Sequence, residues 1–436
     1  MLIRQGLAQL RRGFAAIQVK REGIIAPNRM VMKIKSERNR VGLMEDILRI
    51  FAERRVNLMS ADGNVIQKDF KGEEKCLFQI CFDKPSGNDF LQAIDHDLKQ
   101  KQLSYEILKP AQVPWFPSKE SDLDLIGRTL QKPGDGLNQD HPGFKDEDYK
   151  RRRDIIGGKT NDYRMGSPIP AVDYSVDEQK LWKYIYEQVR PLHQQYGCKE
   201  YLVAMDQLEK LGLFTSDKIP QLEGLNQWLQ AESNWKIKPV NGILSQREFL
   251  NCLALRTFCS TQYIRHPTKP DYTPEPDIMH EILGHIPNFA DKKICDISQA
   301  LGILSLGATD AQVAMIGAIY WFTIEFGLCM ENGKVKFYGA GPGGSFGEIL
   351  HVEKMIKENP KNILKLDIIN NPPPVNFVVQ DVQPFYYAAQ SFDHFLEQLE
   401  DYSKTFYKPF YLTYDQRNNC YEADRALHLL APPEDN

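Results

Sequence analysis

Hydrophobic and polar positions change their period several times between residues 29 and 108. Residues 29–35 alternate polar and apolar side chains, as a half-buried strand does, whereas residues 42–51 repeat apolar side chains every three or four positions, as an amphipathic helix does. The segment is predicted to contain strands at 29–35, 56–67, 75–82 and 104–108 and helices at 42–51 and 88–98. The resulting order, β-α-β-β-α-β, is typical of a ferredoxin-like unit.

A different pattern, between residues 314 and 330, is apolar almost all round, so a helix formed there belongs in the protein interior. Glu325 is the only charged residue in this run. An unpaired buried carboxylate is unfavourable by several kcal/mol or takes up a proton, so such a group is usually paired with a base or bound to a metal. Both partners remain open at this point: an ion pair with Arg or Lys, or a metal ion.

Two histidines earlier in the chain supply further candidate ligands. The stretch from His280 to His285 reads H-E-I-L-G-H, whereas a zinc peptidase requires H-E-x-x-H. The extra residue rotates the second imidazole by about 140° on an α-helix, so both can reach one ion only if the helix is locally distorted, which Gly284 would permit. Two histidines and a carboxylate on one face of an octahedral ion are typical of non-haem iron(II) enzymes that activate oxygen. His280, His285 and Glu325 are therefore predicted to form a mononuclear metal site.

Several longer motifs carry a family resemblance. They are Asp140–Asp146, Ile219–Glu223, Thr261–His266, Thr273–His285 and Tyr320–Leu328. In this order they resemble the aromatic amino acid hydroxylase family over roughly residues 115 to 415. The resemblance implies a mostly α-helical catalytic domain and a monooxygenase that uses iron(II) (Fe²⁺), tetrahydrobiopterin and O2, adding one oxygen atom to an aromatic ring and the other to the pterin.

The resemblance also implies a role for each matching residue. His280, His285 and Glu325 match the iron ligands, which are counted as catalytic. The residues implied to bind the pterin are Phe249, Leu244, Glu281, Gln246 and Tyr320, with Phe249 as the stacking ring. The residues implied to bind the amino acid are Arg265, Thr273, Pro276, Trp321, Gly344 and Val379. Arg265 is expected to pair with the substrate carboxylate, since a planar guanidinium fits that group.

The chain departs from the family pattern at two places. Gly344 stands where a serine normally supports both an iron-ligating histidine and the substrate carboxylate. Losing such a hydroxyl typically costs about 10- to 100-fold in metal affinity or activity, so either Ser345 or a water is expected to substitute, or the substrate site is altered. Pro133 falls near the position of a mobile tyrosine that covers the active site, so the lid is expected to close differently.

Three positions bear on the choice of substrate. Trp321 resembles the phenylalanine and tyrosine branches, Val379 resembles the phenylalanine branch, and Cys259 matches neither pattern. An apolar valine suits a ring without a hydroxyl, because a buried phenol would need a partner elsewhere. Conversion of L-phenylalanine to L-tyrosine is therefore favoured. The alternatives are hydroxylation of tyrosine or tryptophan, and a catalytically impaired protein that only senses amino acids.

The predicted domains are a disordered or targeting tail at 1–28, an ACT-like regulatory domain at 29–109, a linker at 110–120, the catalytic iron and pterin domain at 121–410, and a short oligomerisation arm and tail at 411–436. The ferredoxin-like unit resembles the ACT domain of the family, but residues 60–65 lack the signature of phenylalanine-responsive versions. Activation by substrate and a purely structural or dimerising role both remain open. The expected fold class is α+β.

The carboxyl-terminal residues predict a small arm. Residues 410–414 and 420–422 flank a polar turn, as in a β-hairpin, and only residues 423–430 could form a helix after it. Tetrameric relatives use a longer helix with several heptads. A homo-oligomer is expected, with a dimer favoured over a tetramer.

The resemblance implies small-molecule partners, an amino acid and a pterin, and composition argues against nucleic acid and membrane partners. The 436-residue chain has a net charge of -4, which argues against nucleic acid as the main partner. The longest apolar run falls short of the about 20 residues of a membrane span, and the eight cysteines include no C-x-x-C pair. Residues 1–21 are basic and free of acids, as in a mitochondrial transit peptide or a regulatory tail. A cytoplasmic location is favoured, with the mitochondrion as the alternative.

Overall fold

The structure is a computed structural model of the chain. It describes residues 29–68, 74–83, 89–108, 112–127, 137–273, 275–379, 381–406, 408, 410, 412–423 and 427–430. The tail expected at residues 1–28 and the predicted change at Pro133 lie outside the described residues.

The amino-terminal unit is a four-stranded antiparallel sheet with two helices. Its elements are β1 (Arg29–Ser36), α1 (Leu43–Glu53), β2 (Leu58–Lys68), β3 (Glu74–Asp83), α2 (Asp89–Gln100) and β4 (Ser104–Leu108). The strand order is β2-β3-β1-β4, with antiparallel neighbours throughout. Apolar side chains of both helices and of the sheet, including Ile47, Phe51 and Ile94, share one buried cluster. The predicted β-α-β-β-α-β order is therefore the one observed, with its core between the helices and the sheet.

Helices predominate after residue 112, as expected for the catalytic part. The helices are α3 (Glu147–Gly158), α4 (Val176–Tyr196), α5 (Lys199–Lys210), α6 (Leu222–Ser233), α7 (Gln246–Ala254), α8 (Lys292–Ser305), α9 (Asp310–Tyr320), the single turn α10 (Ala340–Gly343), α11 (Phe346–Glu358) and α12 (Phe392–Thr405). The strands are β5 (Gln112–Val113), β6 (Lys236–Pro239), β7 (Thr257–Ser260), β8 (Leu328–Glu331), β9 (Lys334–Phe337), β10 (Ile363–Lys365), β11 (Tyr386–Ala389), β12 (Leu412–Asp415), β13 (Cys420–Ala423) and β14 (His428–Leu429). Within the described ranges, no helix is both long enough and apolar enough to cross a membrane.

Local sequence signals fix the helices that carry the site. Ser245 starts α7 by accepting a hydrogen bond from the backbone N–H of Glu248, whose side chain bonds back to Ser245. Thr309 and Gln312 form the same reciprocal cap at the start of α9. The two helices are brought together by α8, where Gly302 lies so close to α7 that a Cβ atom would stand 2.2 Å from the Ala254 nitrogen.

The end of the chain folds back on the catalytic unit. The predicted hairpin forms between β12 and β13, and the buried Tyr421 hydroxyl donates to the Ala254 carbonyl at 2.7 Å. The described part of residues 423–430, which alone could have formed a helix after the hairpin, is extended instead: Ala423 ends β13, and β14 pairs in parallel with β5. Pairing with β5 lets Leu429 pack on the cluster that contains the buried Val113, which a helix in water could not do.

Candidate metal centre and cavity

Two wide helical turns carry the candidate metal ligands. Residues His280–His285 form one π-helical turn, and residues Trp321–Glu325 form another at the end of α9. In a π-helix the backbone bonds run from i to i+5, so two side chains five positions apart return to nearly the same face. The local distortion that the spacing of His280 and His285 required is therefore present.

Side chains from neighbouring helices hold the first π turn. The Leu283 carbonyl accepts a hydrogen bond from the Tyr201 hydroxyl of α5 at 2.8 Å, and the Gly284 carbonyl accepts one from Asn288 at 2.8 Å. Gly284 is needed for a close approach, since a Cβ atom there would lie 2.5 Å from the Ala340 carbonyl oxygen. Gly284 is absent from the residues with positive φ, so its contribution is space for α10 rather than an unusual backbone conformation.

The three candidate ligands converge on one point. The Nε2 atoms of His280 and His285 lie 3.1 Å apart. The carboxylate of Glu325 reaches His280 Nε2 at 3.2 Å through one oxygen and His285 Nε2 at 3.3 Å through the other. Adjacent ligands of an octahedral ion with bonds of about 2.1 Å lie about 3 Å apart. The donor atoms and their spacing therefore fit a divalent cation such as iron(II) bound at this point.

Electrostatics favour a cation between these groups. Burial alone raises the pKa of Glu325, but the charge of His285 and hydrogen bonds from both imidazoles outweigh it and hold this pKa well below its usual range. Burial lowers the pKa of His280, yet the hydrogen bond to Glu325 and the negative charges of Glu325, Glu281 and Asp277 together outweigh burial and raise this pKa. Burial lowers the pKa of His285 below its ordinary value. In the absence of a metal, a proton on His280 would balance the carboxylate, so binding of a metal cation displaces that proton.

A second carboxylate, Glu281, also lies within reach of both imidazoles, since ligand atoms of His280, Glu281 and His285 lie within 4.8 Å of one another. However, Glu281 Oε1 already accepts hydrogen bonds from Thr261, at 2.9 Å from its backbone nitrogen and 3.1 Å from its hydroxyl. Burial raises the pKa of Glu281 to about 8. Glu325, which touches both imidazoles directly, is therefore the stronger candidate ligand.

All of the residues predicted from the sequence to bind metal, pterin or substrate line one cavity of about 270 Å³. The cavity also contains residues to which the sequence analysis gave no role: Val240, Gly242, Ile243, Leu250, Tyr272, Glu275, Gly317, Phe326, Gly341 and Phe377. Phe377 is the most informative of these, because its ring stacks on Trp321 with centroids 4.5 Å apart. Its only sequence signal was its position two residues before Val379.

The Arg265 guanidinium is paired within the protein, whereas it was expected to pair with the substrate carboxylate. The guanidinium is buried and already forms a two-pronged ion pair with Asp277, at 2.9 Å from Nε and 2.7 Å from Nη2. Nη2 also donates to the Gly344 carbonyl at 2.9 Å, and Nη1 donates to the Pro270 carbonyl at 3.3 Å. A guanidinium has five N–H donors, so one donor of Nη1 remains for a ligand. The fork that was expected to face the substrate is occupied by Asp277.

The loop around Gly344 excludes a serine at that position. A Cβ atom on Gly344 would lie 2.5 Å from the Cα atom of His280. Ser345 does not take over the missing hydroxyl, because its Oγ donates to the Asp271 carbonyl and accepts from the Glu348 backbone at the start of α11. His285 Nδ1 is buried and has no hydrogen-bond partner among the described residues. Neither residue 344 nor Ser345 therefore supplies the expected hydroxyl, and the Gly344 backbone packs directly against His280.

The chain is similar to known proteins in sequence, and solved structures also match part of it. A family model described as biopterin-dependent aromatic amino acid hydroxylase matches residues 114–428. Human phenylalanine-4-hydroxylase is 38% identical over 412 residues, covering 93% of this chain and 89% of the human protein. Mouse tyrosine 3-monooxygenase is 36% identical over 369 residues, covering 84% of this chain and 72% of the mouse protein. Among solved structures, phenylalanine hydroxylase from Chromobacterium violaceum with bound iron(III) and 7,8-dihydrobiopterin has 28% identity and a TM-score of 0.45, over 53% of this chain and 80% of that one.

Replacing the candidate carboxylate ligand tests the metal centre. Glu325→Gln keeps the shape of the side chain but removes its charge, and we expect iron(II) affinity to fall by more than about 100-fold, beyond the loss typical of supporting residues. Glu281→Gln is the matched control and should retain iron. Iron content after dialysis against a graded chelator series measures both. Equal retention by the two variants would contradict the assignment of Glu325.

Removing one support of the π turn tests how the ligands are held. Tyr201→Phe loses the hydrogen bond to Leu283, and we expect iron(II) affinity to fall about 10-fold with the fold intact. Tyr186→Phe is the control, since that hydroxyl bonds to Glu209 at 2.6 Å, away from the cavity. Chelator competition and thermal unfolding give the two readouts. A loss of affinity of the same size in both variants would show that Tyr201 has no particular role in the π turn.

Proposed function

The chain belongs to the family of biopterin-dependent aromatic amino acid hydroxylases, and we propose that it converts L-phenylalanine to L-tyrosine. The observation that supports this proposal most directly is the meeting of two imidazoles and a carboxylate in the same cavity as an apolar wall. That wall contains Trp321 and Val379. The candidate metal ligands therefore lie in the same cavity as an apolar surface that suits an unsubstituted ring.

His280, His285 and Glu325 are proposed to hold the iron. When bound with a tetrahydrobiopterin, iron(II) supplies the activation of O2 that delivers one oxygen atom to the ring and one to the pterin. The chain's own contribution would be to hold these three side chains together at the wall of the cavity, where the amino acid and the pterin would also bind. Burial of the ligands excludes bulk water, since the His285 side chain is only 2% exposed and that of Glu325 only 12%.

The pterin is proposed to lie against Phe249. Phe249 packs edge-on against Tyr320, with ring centroids 5.2 Å apart, which fixes the plane offered for stacking. The Gln246 amide packs directly against Gly317, where a Cβ atom would lie 1.7 Å from the amide nitrogen. Leu244 adds apolar surface, and the Glu281 carboxyl is oriented by Thr261. Together these side chains would orient the pterin beside the iron ligands.

The amino acid is proposed to bind with its carboxylate toward Arg265 and Thr273. Arg265 offers one remaining N–H donor, and the Thr273 hydroxyl lines the same part of the cavity. Pro276, Trp321 and Val379 would enclose the ring. A phenol buried against this wall would need a hydrogen-bond partner, so the apolar surface favours phenylalanine over tyrosine.

We also propose that residues 29–108 are an ACT-type regulatory domain. Its sheet order supports this assignment.

The outer strands β2 and β4 are the edges of that sheet. The backbone groups of an edge strand can pair with a strand of another chain, which supports a dimer. No disulfide joins cysteines within the described part of the chain, which fits a reducing compartment such as the cytosol.

Turnover by the purified protein tests the proposed activity. Iron(II) is loaded anaerobically, then O2, tetrahydrobiopterin and one of phenylalanine, tyrosine or tryptophan are added, and the products are resolved by mass. We expect tyrosine to form from phenylalanine only when iron and pterin are both present. Product from tyrosine or tryptophan alone would contradict the assigned substrate, and binding without any product would favour an amino acid sensor.

A charge on the ring wall tests the basis of substrate choice. Val379→Asp introduces a carboxylate into the cavity, and we expect kcat/KM for phenylalanine to fall about 10-fold or more while the relative activity toward tyrosine rises. Val378→Asp is the matched control, because the neighbouring Val378 is 41% exposed. Competition assays with mixed phenylalanine and tyrosine measure the ratio directly. An unchanged ratio in Val379→Asp would show that this position does not select the substrate.

A further inference from the structure

Gln383 joins two parts of the cavity wall without lining the cavity itself. Its side chain is fully buried. The Oε1 atom accepts a hydrogen bond from the Trp321 indole at 3.1 Å, and the Nε2 atom donates to the Val378 carbonyl at 2.8 Å. We propose that Gln383 is a positioning and specificity-determining residue, which holds the surface made by Trp321, Phe377 and Val379 (the ring wall) in one arrangement. This inference rests on the proposed function, because it concerns how that site selects its aromatic substrate.

The chemistry of the two partners fixes the orientation of the Gln383 amide. An indole N–H can only donate a hydrogen bond, and a backbone carbonyl can only accept one. The amide oxygen therefore faces Trp321 and the amide nitrogen faces Val378, and the reverse orientation would break both bonds. Because both bonds are largely shielded from water, losing Gln383 leaves an indole N–H and a carbonyl without their partners. Few other side chains of similar size supply both functions.

The backbone of Gln383 is anchored to α11. Its N–H donates to Oε1 of the buried Glu348 at 3.5 Å, and its carbonyl lies 3.0 Å from Nε2 of His351. The Glu348 carboxylate is itself fixed by the Tyr386 hydroxyl at 2.5 Å. The helix α11 begins two residues after Gly344, whose carbonyl accepts a hydrogen bond from Arg265. The backbone of Gln383 is therefore anchored to the helix that follows the loop bonded to Arg265, the residue proposed to bind the substrate carboxylate.

The other supports of the ring wall are aromatic packing, including Trp321 on Phe326 and Phe377 on Phe322, and a backbone hydrogen bond. Phe377 stacks on Trp321 at an interplanar angle of 16°, so any rotation of the indole moves both rings. The Val379 carbonyl accepts a hydrogen bond from the Tyr272 hydroxyl at 2.9 Å. Gln383 supplies the hydrogen bond that runs directly from the indole to the segment carrying Phe377 and Val379. Removing it should free the indole to rotate and loosen the fit to the substrate ring.

A near-isosteric substitution tests the inference. Gln383→Met keeps the length of the side chain and removes both hydrogen bonds. We expect KM for phenylalanine to rise about 10-fold, because the Trp321 indole N–H and the Val378 carbonyl lose this partner, while KM for tetrahydrobiopterin and iron content stay unchanged. The ratio of kcat/KM for tryptophan to that for phenylalanine should rise, because a loosened wall discriminates less.

The matched control is Gln398→Met. Gln398 is another buried glutamine that accepts from the Ile368 backbone at 2.9 Å and donates to the Leu366 carbonyl at 3.2 Å, away from the cavity. It should lose thermal stability to a similar degree without a change in KM. The double variant Gln383→Met with Trp321→Phe should have a KM no higher than the larger of the two single variants, because both changes remove the same bond.

The possible outcomes separate this inference from the proposed function. Wild-type KM in Gln383→Met, an equal rise in Gln398→Met, or additive effects in the double variant would each overturn the inference while tyrosine formation by the wild type stands. Failure of the wild type to form tyrosine would instead contradict the proposed function. Calorimetric binding of phenylalanine would then decide the inference: weaker binding by about 10-fold in Gln383→Met alone supports it, and equal binding by both variants overturns it.

Discussion

The structure depends on keeping one carboxylate ionised inside the protein. Glu325 sits in an apolar segment, and a charge there is tolerated only with a positive partner. The partners are not Arg or Lys but two imidazoles, which reach it at 3.2 and 3.3 Å. An imidazole can give up its proton to make room for a metal ion, whereas a guanidinium cannot. Because its partners are imidazoles, the buried Glu325 is a candidate metal ligand rather than one half of a structural ion pair.

This electrostatic arrangement requires unusual backbone geometry. Both ligand-bearing segments adopt π-helical turns, which are rare and found mostly at functional sites. Their carbonyl groups need outside partners, and Tyr201 and Asn288 supply them for the first turn. Gly284 and Gly344 allow close backbone packing beside the same turn, where a serine hydroxyl was expected. The candidate centre is thus supported by close backbone packing together with these side-chain hydrogen bonds.

The parts that could be predicted from the sequence are those encoded locally. The periods of apolar side chains predicted the sequence of strands and helices in the first unit, and the spacing of His280 and His285 predicted that a helix must be distorted for both to reach one ion. Contacts between distant segments were not predictable in this way: the pairing of Arg265 with Asp277 uses up donors expected for substrate, and Gln383 meets Trp321 across 62 positions. The strand at His428–Leu429 was missed because only its partner β5 makes a strand favourable there. A local pattern carries no record of such partners.

The most direct test of the central claim is X-ray absorption spectroscopy of the wild-type protein loaded anaerobically with iron(II). The geometry predicts a six-coordinate ion with only nitrogen and oxygen neighbours near about 2.1 Å, and outer-shell scattering from two imidazoles. Sulfur in the first shell, a four-coordinate ion, or scattering from a number of imidazoles other than two would contradict a centre built from His280, His285 and Glu325.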